Sequence, residues 1–406
     1  MNKLTLDDLQ EDEVRGKRAI VRVDYNVPLN DRLEVTDDTR ISSTVPTLQR
    51  LILLGARIVL LSHFGRPKGK AVPEMSLKPA AERLGQLLGK AVRFVGSTTD
   101  AAAVDATRSL GDGDVLLLEN TRYDAREEKN DAAMAEELAA LGDIYVNDAF
   151  GAAHRAHAST AGVAERIKER GGIAVAGLLM KRELDYLGDA LESPQRPFVA
   201  ILGGAKISGK IDVIQALLPK TDRLLIGGVM ANTFFRAQGL ATGTSLVEED
   251  RIELARALLS EASDKLVLPQ DVVVAQALEA GGETKVVSSS AIPDGWMALD
   301  IGPEAVNSYR EIVRAARTVL WNGPMGVAEI EEFRGGTEGV ANALTEATKS
   351  GATTVVGGGD SAAALLDLGL QDEVSHVSTG GGASLEFLEG KPLPGVEVLS
   401  PSRAGR

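Results

Sequence analysis

Short apolar runs rich in β-branched residues alternate with amphipathic helical stretches along the whole chain. Most of these runs are apolar on both faces, as strands of a parallel sheet are when helices cover both sides of it. The pattern therefore predicts an α/β protein built from parallel sheets. The predicted strands are 18–24, 56–62, 91–95, 114–118, 143–147, 197–202, 223–227, 265–274, 317–321, 353–356 and 374–378, with helices at 130–141 and 249–263 among the connections.

A chain of 406 residues is longer than one hydrophobic core usually serves, so two domains are expected. An amphipathic helix is predicted from Leu178 to Leu191, and the segment 193–197 contains two prolines that end it. The residues from Glu389 onward are rich in Pro and Gly, and their pattern does not indicate where they pack. The expected parts are a first domain over 1–175, a connecting helix over 176–192, a second domain over 193–386 and a tail over 387–406.

The formal net charge is −14, and Cys is absent. Binding to nucleic acids or to acidic membrane surfaces requires a basic face, so neither partner is expected. Without Cys the chain has no disulfide, no catalytic thiol and no Cys-ligated metal. The first residues show no signal peptide, and no run approaches the roughly 18 apolar residues of a membrane span. A cytoplasmic location is therefore expected.

The residues that follow the predicted strands differ between the two halves of the chain. In the first half they are Arg, His, Asp and Asn, as at 22–26 and 62–66, whereas in the second half they are glycines, as at 203–204 and 357–359. Ligands of parallel sheets bind beyond the carboxyl ends of the strands. Cationic side chains suit a small anion, and glycine turns that open onto helices suit the phosphates of a nucleotide. Together the two halves indicate phosphoryl transfer between such ligands.

Cationic side chains are the candidate anion ligands of the first half. The arginines at or near predicted strand ends are Arg22, Arg40, Arg66, Arg122 and Arg155. Guanidinium groups make bidentate contacts with carboxylate and phosphate, although a surface salt bridge is the alternative for Arg22 or Arg40 taken singly. The same segments contain His63, His154 and His157. Their spacing does not support zinc, which leaves anion binding or a structural role for the last two.

Glycine pairs and triplets in the second half predict turns whose backbone N–H groups can approach phosphate oxygens. The alternative for any single turn is a tight connection without a ligand. Lys206 and Lys210 are four residues apart at the start of a predicted helix, so both are expected on one face near the phosphates unless they are merely solvated. The segment 204–210 also matches most of a Walker A loop. Because Ile211 replaces the Ser or Thr that would bind Mg²⁺, we interpret this match as accidental.

Asp360 follows three glycines, and its carboxylate is a candidate Mg²⁺ ligand beside the phosphates. The alternative is a helix N-cap, a role for which Ser361 is equally suited. The sequence contains neither a Ser/His/Asp set nor a Gly-x-Ser-x-Gly elbow. An acceptor that is already an ionised carboxylate needs no general base, so catalysis is expected to depend on positioning and charge stabilisation.

Ordered motifs over essentially the whole chain resemble the phosphoglycerate kinase family. These motifs are at 22–28, 38–40, 62–67, 147–151, 154–157, 321–324 and 378–384. The resemblance implies two Rossmann-like domains that face each other across a cleft, are joined by the hinge helix at 176–192 and close when both ligands are bound. It also implies that the tail at 387–406 packs back on the first domain. The implied activity, in a monomer, is reversible transfer of the acyl phosphate of 1,3-bisphosphoglycerate to Mg-ADP, giving 3-phosphoglycerate and ATP.

The resemblance also implies roles for individual residues. Phosphoglycerate would be held by Asp24, Asn26, Arg40, His63, Arg66, Arg122 and Arg155. The nucleotide would be bound by Gly204, Lys206, Lys210, Gly228, Leu299, Asn322, Pro324, Glu329, Gly357, Gly358, Gly359, Asp360 and Ser361. The catalytic groups would be Arg40, Lys206, Lys210, Gly358 and Gly381. Asp360 would also carry Mg²⁺.

Five positions depart from the common pattern of the family, and one of them is Ser361, which replaces Thr and keeps a hydroxyl. Gly209 replaces the usual Asp, Thr121 and Tyr123 flank Arg122 where Leu and Phe are more usual, and Ala328 precedes Glu329 where an aromatic residue is common. None of these changes removes a charged group that the chemistry needs. Two alternative functions remain: an NTPase of another family that uses the 204–210 loop, and a non-catalytic metabolite-binding protein.

Overall fold

The computed structural model describes residues 2–403. They form two compact units. The first contains the residues up to Asp185 together with those from Pro392 onward, and the second is Tyr186–Lys391. The division falls within one helix, Leu178–Glu192, whose existence the sequence predicted.

A parallel sheet forms the centre of the first unit. Its strands are β1 (Arg18–Arg22), β2 (Arg57–Leu61), β3 (Val92–Val95), β4 (Val115–Leu118), β5 (Ile144–Asn147) and β6 (Ile173–Ala176). They are arranged in the order β3-β4-β2-β1-β5-β6, and every neighbouring pair is parallel. The helices are α1 (Glu11–Val14), α2 (Thr39–Ser42), α3 (Val45–Leu53), α4 (Lys78–Leu88), α5 (Ala101–Arg108), α6 (Ala132–Ala139), α7 (Val163–Glu169) and α8 (Leu178–Glu192). All residues of β4 and β5 are buried, as expected for strands that helices cover on both faces.

The second unit contains a parallel sheet and a smaller antiparallel one. Its strands are β7 (Phe198–Leu202), β8 (Arg223–Ile226), β9 (Leu266–Val267), β10 (Asp271–Ala275), β11 (Thr284–Ser288), β12 (Met297–Ile301), β13 (Thr318–Asn322), β14 (Thr353–Gly357) and β15 (His376–Val377). The parallel sheet has the order β15-β14-β13-β7-β8-β9, and the antiparallel sheet has the order β11-β10-β12. The helices are α9 (Ile211–Leu217), α10 (Ala231–Ala237), α11 (Ile252–Ala262), α12 (Pro303–Arg314), α13 (Gly335–Lys349), α14 (Gly359–Asp367) and α15 (Gly382–Leu388).

The segment 394–400 packs on the edge of the first sheet. Within the short helix α16 (Pro394–Glu397), the Gly395 N–H donates to the Ala153 carbonyl at 2.8 Å, and the Asn147 Nδ2 donates to the Gly395 carbonyl at 2.8 Å. Further along, the Ser400 N–H donates to the Ala174 carbonyl of β6 at 2.8 Å. These contacts, which the residue pattern alone did not indicate, hold the segment 394–400 against the first unit, whereas the tail residues up to Lys391 belong to the second unit.

Two parallel sheets covered by helices confirm the predicted fold class. The predicted single strand at 265–274 is wrong, because the chain leaves the parallel sheet after β9 and enters the antiparallel sheet at β10. Pro269 lies between them, and a proline has no N–H to donate to a continuing ladder. The prediction also missed β6, which is short and rich in alanine, and both β11 and β12. Among residues 2–403, no helix is long and apolar enough to cross a membrane.

Candidate active site

Arg22 is the last residue of β1, at the carboxyl edge of the first sheet. Its side chain is buried, so the surface salt bridge considered for it is wrong. The Nε atom donates to Ser159 Oγ at 2.8 Å, and Nη2 lies 3.1 Å from His63 Nδ1. Burial lowers the pKa of His63 to about 3, although Asp24 acts to raise it. The imidazole is therefore neutral at pH 7 and can accept from the guanidinium group of Arg22.

Asp24 links Arg40 to this edge of the sheet. Arg40 lies in α2 and places Nη1 3.0 Å from Asp24 Oδ2 and 3.3 Å from the Asn26 carbonyl. Burial acts to raise the pKa of Asp24, but the neighbouring His63 ring and the guanidinium groups of Arg40 and Arg22 outweigh it, so this pKa is lowered and the carboxylate is ionised at neutral pH. About a third of the Arg40 side chain stays exposed. A partly exposed cation of this kind can reach a ligand beyond the strand ends.

Arg122 and Asn26 converge on the backbone of Gly65. The Gly65 N–H donates to Asn26 Oδ1 at 2.9 Å, and Arg122 Nη1 donates to the Gly65 carbonyl at 2.9 Å. Arg66, the next residue, is exposed. Arg122 is buried, and its Nε donates no hydrogen bond within the described part of the chain, although the same atom forms an ion pair with Glu128 at 3.4 Å. Burial, opposed by Glu128, lowers its pKa.

The segment after β5 adds further positive charge to the same edge. Arg155 is exposed, and its Nε donates to His154 Nε2 at 3.0 Å. Burial, together with the positive charges of Arg122 and Arg22, lowers the pKa of His157 to about 4, so this imidazole is neutral at pH 7. Arg22, Arg122 and Arg155 therefore all act on His157 at this edge of the sheet. The arrangement suits an anion with several charges.

In the second unit, the first two glycine turns pack backbone against backbone. A Cβ atom on Gly203 would lie 2.0 Å from the Pro324 carbonyl oxygen, and one on Gly228 would lie 2.5 Å from the Gly204 nitrogen. The N–H groups of Gly204 and Gly228 donate to the carbonyls of Pro324 and Met325 at 3.0 and 2.7 Å. The expectation that these two turns offer free N–H groups to phosphate is therefore wrong. Close packing explains the glycines, and nucleotide contact by Gly204 and Gly228 stays a prediction.

The two lysines do not lie on one helix. Helix α9 begins at Ile211, so Lys206 and Lys210 both lie in the preceding turns, and the predicted helical face is wrong. Lys206 is exposed, whereas Lys210 is half-buried and its Nζ donates to Asn322 Oδ1. Burial lowers the pKa of Lys210 to about 8, although the charges of Asp360 and Glu389 act to raise it. The structure thus places the Lys210 ammonium group near Asp360 and Asn322.

The turn at 357–359 opens onto a helix as predicted. Asn322, the last residue of β13, lies beneath this turn, because a Cβ atom on Gly357 or Gly358 would be 3.2 or 3.3 Å from its amide group. Gly358 has φ +90°, and α14 begins at the next residue. The unpaired N–H groups and positive dipole of a helix N-terminus attract anions. Ser361 lies in the same helix, and its side-chain hydroxyl oxygen accepts a hydrogen bond from the Gly323 N–H at 2.7 Å.

Asp360 is exposed in the first turn of α14 and does not act as the helix N-cap, which is Gly358 without a side-chain bond. It lines a surface depression together with Pro324 and Glu329, so three predicted nucleotide ligands lie together. Ala328 lines the same depression. Leu299 does not line this depression but lies in a buried cluster with Ala275 and Phe333, against which Val327 packs.

The last glycine turn connects β15 to α15. Gly381 has φ +51° and precedes the first residue of α15. The Gly380 N–H donates to Ser378 Oγ at 3.1 Å, and this hydroxyl is 2.6 Å from Ser384 Oγ. Because its φ angle is positive, Gly381 has a left-handed conformation, which glycine adopts without strain.

Comparison with known proteins decides the family. The family model described as "Phosphoglycerate kinase" matches residues 6–391. The chain belongs to the phosphoglycerate kinase family. It is 57% identical to the phosphoglycerate kinase of Herpetosiphon aurantiacus over 98% of this chain and 100% of that one. The solved phosphoglycerate kinase of Coxiella burnetii is 41% identical, with a TM-score of 0.87 over 98% of both chains. The enzyme from Pyrococcus horikoshii OT3 is 32% identical, with a TM-score of 0.83 over 98% of both chains.

Phosphoglycerate kinases are phosphotransferases, so this chain is a kinase of that class. The family uses a nucleotide substrate together with Mg²⁺. Among residues 2–403, no group of three or more His, Cys, Asp or Glu side chains is arranged to hold a metal ion. Mg²⁺ is commonly bound by one or two carboxylates and by substrate phosphates, and the exposed carboxylate of Asp360 fits that type of site.

Asp300 is a functional candidate that the sequence analysis missed. This buried residue of β12 accepts from the N–H groups of Gly336 at 2.7 Å and Ile301 at 2.8 Å. A Cβ atom on Gly326 would lie 2.2 Å from its Oδ1 atom. Burial raises the pKa of Asp300 to about 7, although these hydrogen bonds act to lower it. Asp300 thus supports both α13, which supplies Thr337 to the depression, and the loop that leads to Glu329.

Asp300→Asn is expected to raise the KM for nucleotide about fivefold, because one backbone N–H would face the amide group instead of a carboxylate oxygen. Asp271→Asn is the matched control, since the buried Asp271 accepts from the Glu304 and Ala305 N–H groups at 3.1 and 2.7 Å at the start of α12. Steady-state kinetics should show a changed nucleotide KM in the first variant only. Equal nucleotide KM values in both variants would contradict this role.

Proposed function

We propose that this protein catalyses reversible transfer of the acyl phosphate of 1,3-bisphosphoglycerate to Mg-ADP, giving 3-phosphoglycerate and ATP. The observation that carries the proposal is the separation of two chemistries at strand ends. A cationic cluster occupies the carboxyl edge of the first sheet, and Lys210 with the Gly357–Gly359 turn occupies that of the second. A full-length match to the phosphoglycerate kinase family supports this assignment.

In the first unit, we assign the phosphoglycerate to the cationic cluster. The arginine and histidine groups would bind its phosphate and carboxylate oxygens, while Asp24 orients Arg40 through the 3.0 Å ion pair. Arg40 keeps enough exposure to contact the group in transfer. The proposed ligands are Asp24, Asn26, Arg40, His63, Arg66, Arg122 and Arg155. Because the acceptor is an ionised carboxylate, no side chain needs to remove a proton from it.

In the second unit, we assign the nucleotide to the depression beside α14. The phosphates would lie at the N-terminus of α14, where the backbone N–H groups are unpaired and the dipole is favourable. Lys210 would contact the phosphoryl group in transfer, and Lys206 is free to approach because it is exposed. The proposed remaining contacts are Gly204, Gly228, Leu299, Asn322, Pro324, Glu329, Gly357, Gly358, Gly359, Ser361 and Gly381.

Asp360 would hold Mg²⁺ together with the nucleotide phosphates. When bound, the ion neutralises charge on those phosphates during transfer. The chain itself contributes positioning, the exclusion of water and fixed positive charge. We also propose that α8 acts as the hinge of substrate-dependent closure, that the enzyme is a monomer and that it is cytoplasmic.

The assay that tests the function follows ATP consumption in the presence and absence of 3-phosphoglycerate. The proposal expects consumption that depends on 3-phosphoglycerate and is strongly reduced in Lys210→Ala. ATP hydrolysis without 3-phosphoglycerate would favour the NTPase that uses the 204–210 loop. Failure to bind Mg-nucleotide would favour the non-catalytic binding protein.

The charge of Lys210 predicts a pH dependence. Since burial lowers the pKa of Lys210 to about 8, its ammonium group loses a proton as the pH rises through 8 and can no longer attract phosphate. The KM for nucleotide should therefore rise about tenfold between pH 7 and pH 9, in proportion to the lost protonated fraction. Lys210→Arg keeps the charge over this range and should flatten the profile. A wild-type KM that is constant over the range would contradict this role.

A further inference from the structure

Glu127 is a buried carboxylate that the proposed chemistry does not use. It lies in the short 3₁₀ segment Glu127–Lys129, and none of its surface is exposed. A buried charge is costly unless hydrogen bonds and opposite charges compensate for it. The contacts that compensate for Glu127 connect it to the cationic cluster.

Ser159 connects Glu127 to Arg22. The Ser159 N–H donates to Glu127 Oε2 at 2.9 Å, and the Ser159 hydroxyl donates to Glu127 Oε1. The same hydroxyl accepts from Arg22 Nε at 2.8 Å. The Ser159 hydroxyl thus bridges the guanidinium group of Arg22 and the buried carboxylate of Glu127. This arrangement fixes Arg22 and partly balances its charge.

Thr121 connects Glu127 to the other buried arginine. The Thr121 hydroxyl, which is buried, donates to Glu127 Oε1 at 3.2 Å, and Arg122 is the next residue in the chain. Glu127 also acts to raise the pKa of Arg122, against the larger lowering effect of burial. A leucine, the residue more usual in the family at position 121, has no hydroxyl to donate.

Tyr123 holds the other side of Arg122. Its hydroxyl donates to the Val72 carbonyl, a bond that phenylalanine cannot make. The Arg122 N–H donates to Asn120 Oδ1 at 3.1 Å. Two of the five departures from the family pattern therefore add hydrogen bonds beside Arg122.

We infer that Glu127, bonded by Ser159 and Thr121, is a positioning residue that sets Arg22 and Arg122 in one arrangement for anion binding. The inference rests on the proposed function, because the anion is taken to be phosphoglycerate. Glu127 touches neither substrate nor nucleotide in this account. It acts by holding Arg122, a proposed ligand, and Arg22, whose Nη2 lies 3.1 Å from Nδ1 of the proposed ligand His63. Thr121 is the member that departs from the common family pattern.

Thr121→Val tests the inference, because valine has nearly the same shape without the hydroxyl. The KM for 3-phosphoglycerate should rise about fivefold, the scale for the loss of one hydrogen bond to a buried charge. The KM for ATP and the kcat should stay within about twofold of the wild-type values, since the nucleotide binds to the other unit. Thr121→Ser, which keeps the hydroxyl, should have a KM for 3-phosphoglycerate close to that of the wild type.

Thr5→Val is the matched control. The Thr5 side chain is also buried, and its hydroxyl donates to the carboxylate of Asp8 at 2.8 Å, but none of its bonds involves the arginines. It should lower thermal stability by a similar amount while leaving both KM values unchanged. If the Glu127→Gln variant folds, its KM for 3-phosphoglycerate should rise by about tenfold or more. If this variant does not fold, the KM of Thr121→Val alone tests the inference.

The outcomes separate this inference from the function on which it rests. A wild-type protein without ATP consumption dependent on 3-phosphoglycerate would overturn the proposed function, and the inference would fall with it. An active wild type whose KM for 3-phosphoglycerate is unchanged in Thr121→Val would overturn the inference alone. Equal rises in both KM values, or an equal rise in Thr5→Val, would also overturn it, because they would indicate general destabilisation.

Discussion

Arg40→Ala is expected to lower kcat by at least about 10²-fold, the scale for the loss of one preorganised charge stabiliser. The ion pair with Asp24 fixes Arg40 at 3.0 Å, and about a third of its side chain stays exposed toward a ligand. Alanine removes the charge at that position but leaves the buried arginines in place. The kcat should therefore fall much more than the affinity for 3-phosphoglycerate, and steady-state kinetics can separate the two.

Arg57→Ala provides the control for this variant. Arg57 is about as exposed and pairs with Asp112 at 2.9 Å, but it begins β2 and so lies at the amino edge of the same sheet. Its replacement should leave kcat near the wild-type value. Near-normal turnover in Arg40→Ala, or an equal loss in Arg57→Ala, would contradict the role assigned to Arg40.

Lys210→Ala is expected to lower kcat by about 10² to 10³-fold, because the phosphoryl group in transfer would lose its direct positive partner. The Lys210 ammonium group bonds Asn322 Oδ1, and its charge interacts with that of Asp360. Alanine leaves the glycine turn and α14 in place, so the KM for 3-phosphoglycerate should not change. Single-turnover measurements would place the loss in the transfer step.

Lys265→Ala is the control for Lys210→Ala. Lys265 lies just before β9, and its Nζ donates to the Leu218 carbonyl at 3.3 Å, away from the strand ends that form the site. Its replacement should leave kcat unchanged. A small effect of Lys210→Ala, within about threefold, would be incompatible with direct contact at the transferring group.

Much of the fold can be predicted from the local pattern of apolar residues. The apolar runs that helices cover on both faces are easily recognised, and the residues of β1, β4 and β5 illustrate this. The antiparallel sheet was missed because the run at 265–274 was interpreted as one strand across Pro269 and because β11 and β12 were not predicted. The turn around Lys206 and Lys210 was mistaken for a helix because their spacing of four residues fits one, whereas α9 begins only at Ile211.

The candidate site was harder to predict where burial decides the role of a side chain. Arg22 reads equally well as a surface cation, and only the fold shows it buried against Ser159. Glycines 203 and 228 read as phosphate turns, but close backbone packing explains them. Asp300 and Glu127 act on residues distant in the chain, so no local pattern indicates them.

The fate of the transferred phosphoryl group tests the central claim most directly. The protein is incubated with Mg-ATP, 3-phosphoglycerate and hydroxylamine, which converts an acyl phosphate into a stable hydroxamate, and ADP and hydroxamate are both measured. Direct transfer to the carboxylate predicts equimolar ADP and hydroxamate, and neither product without 3-phosphoglycerate. ADP formed without hydroxamate, or formed in the absence of 3-phosphoglycerate, would show transfer to water and contradict the account.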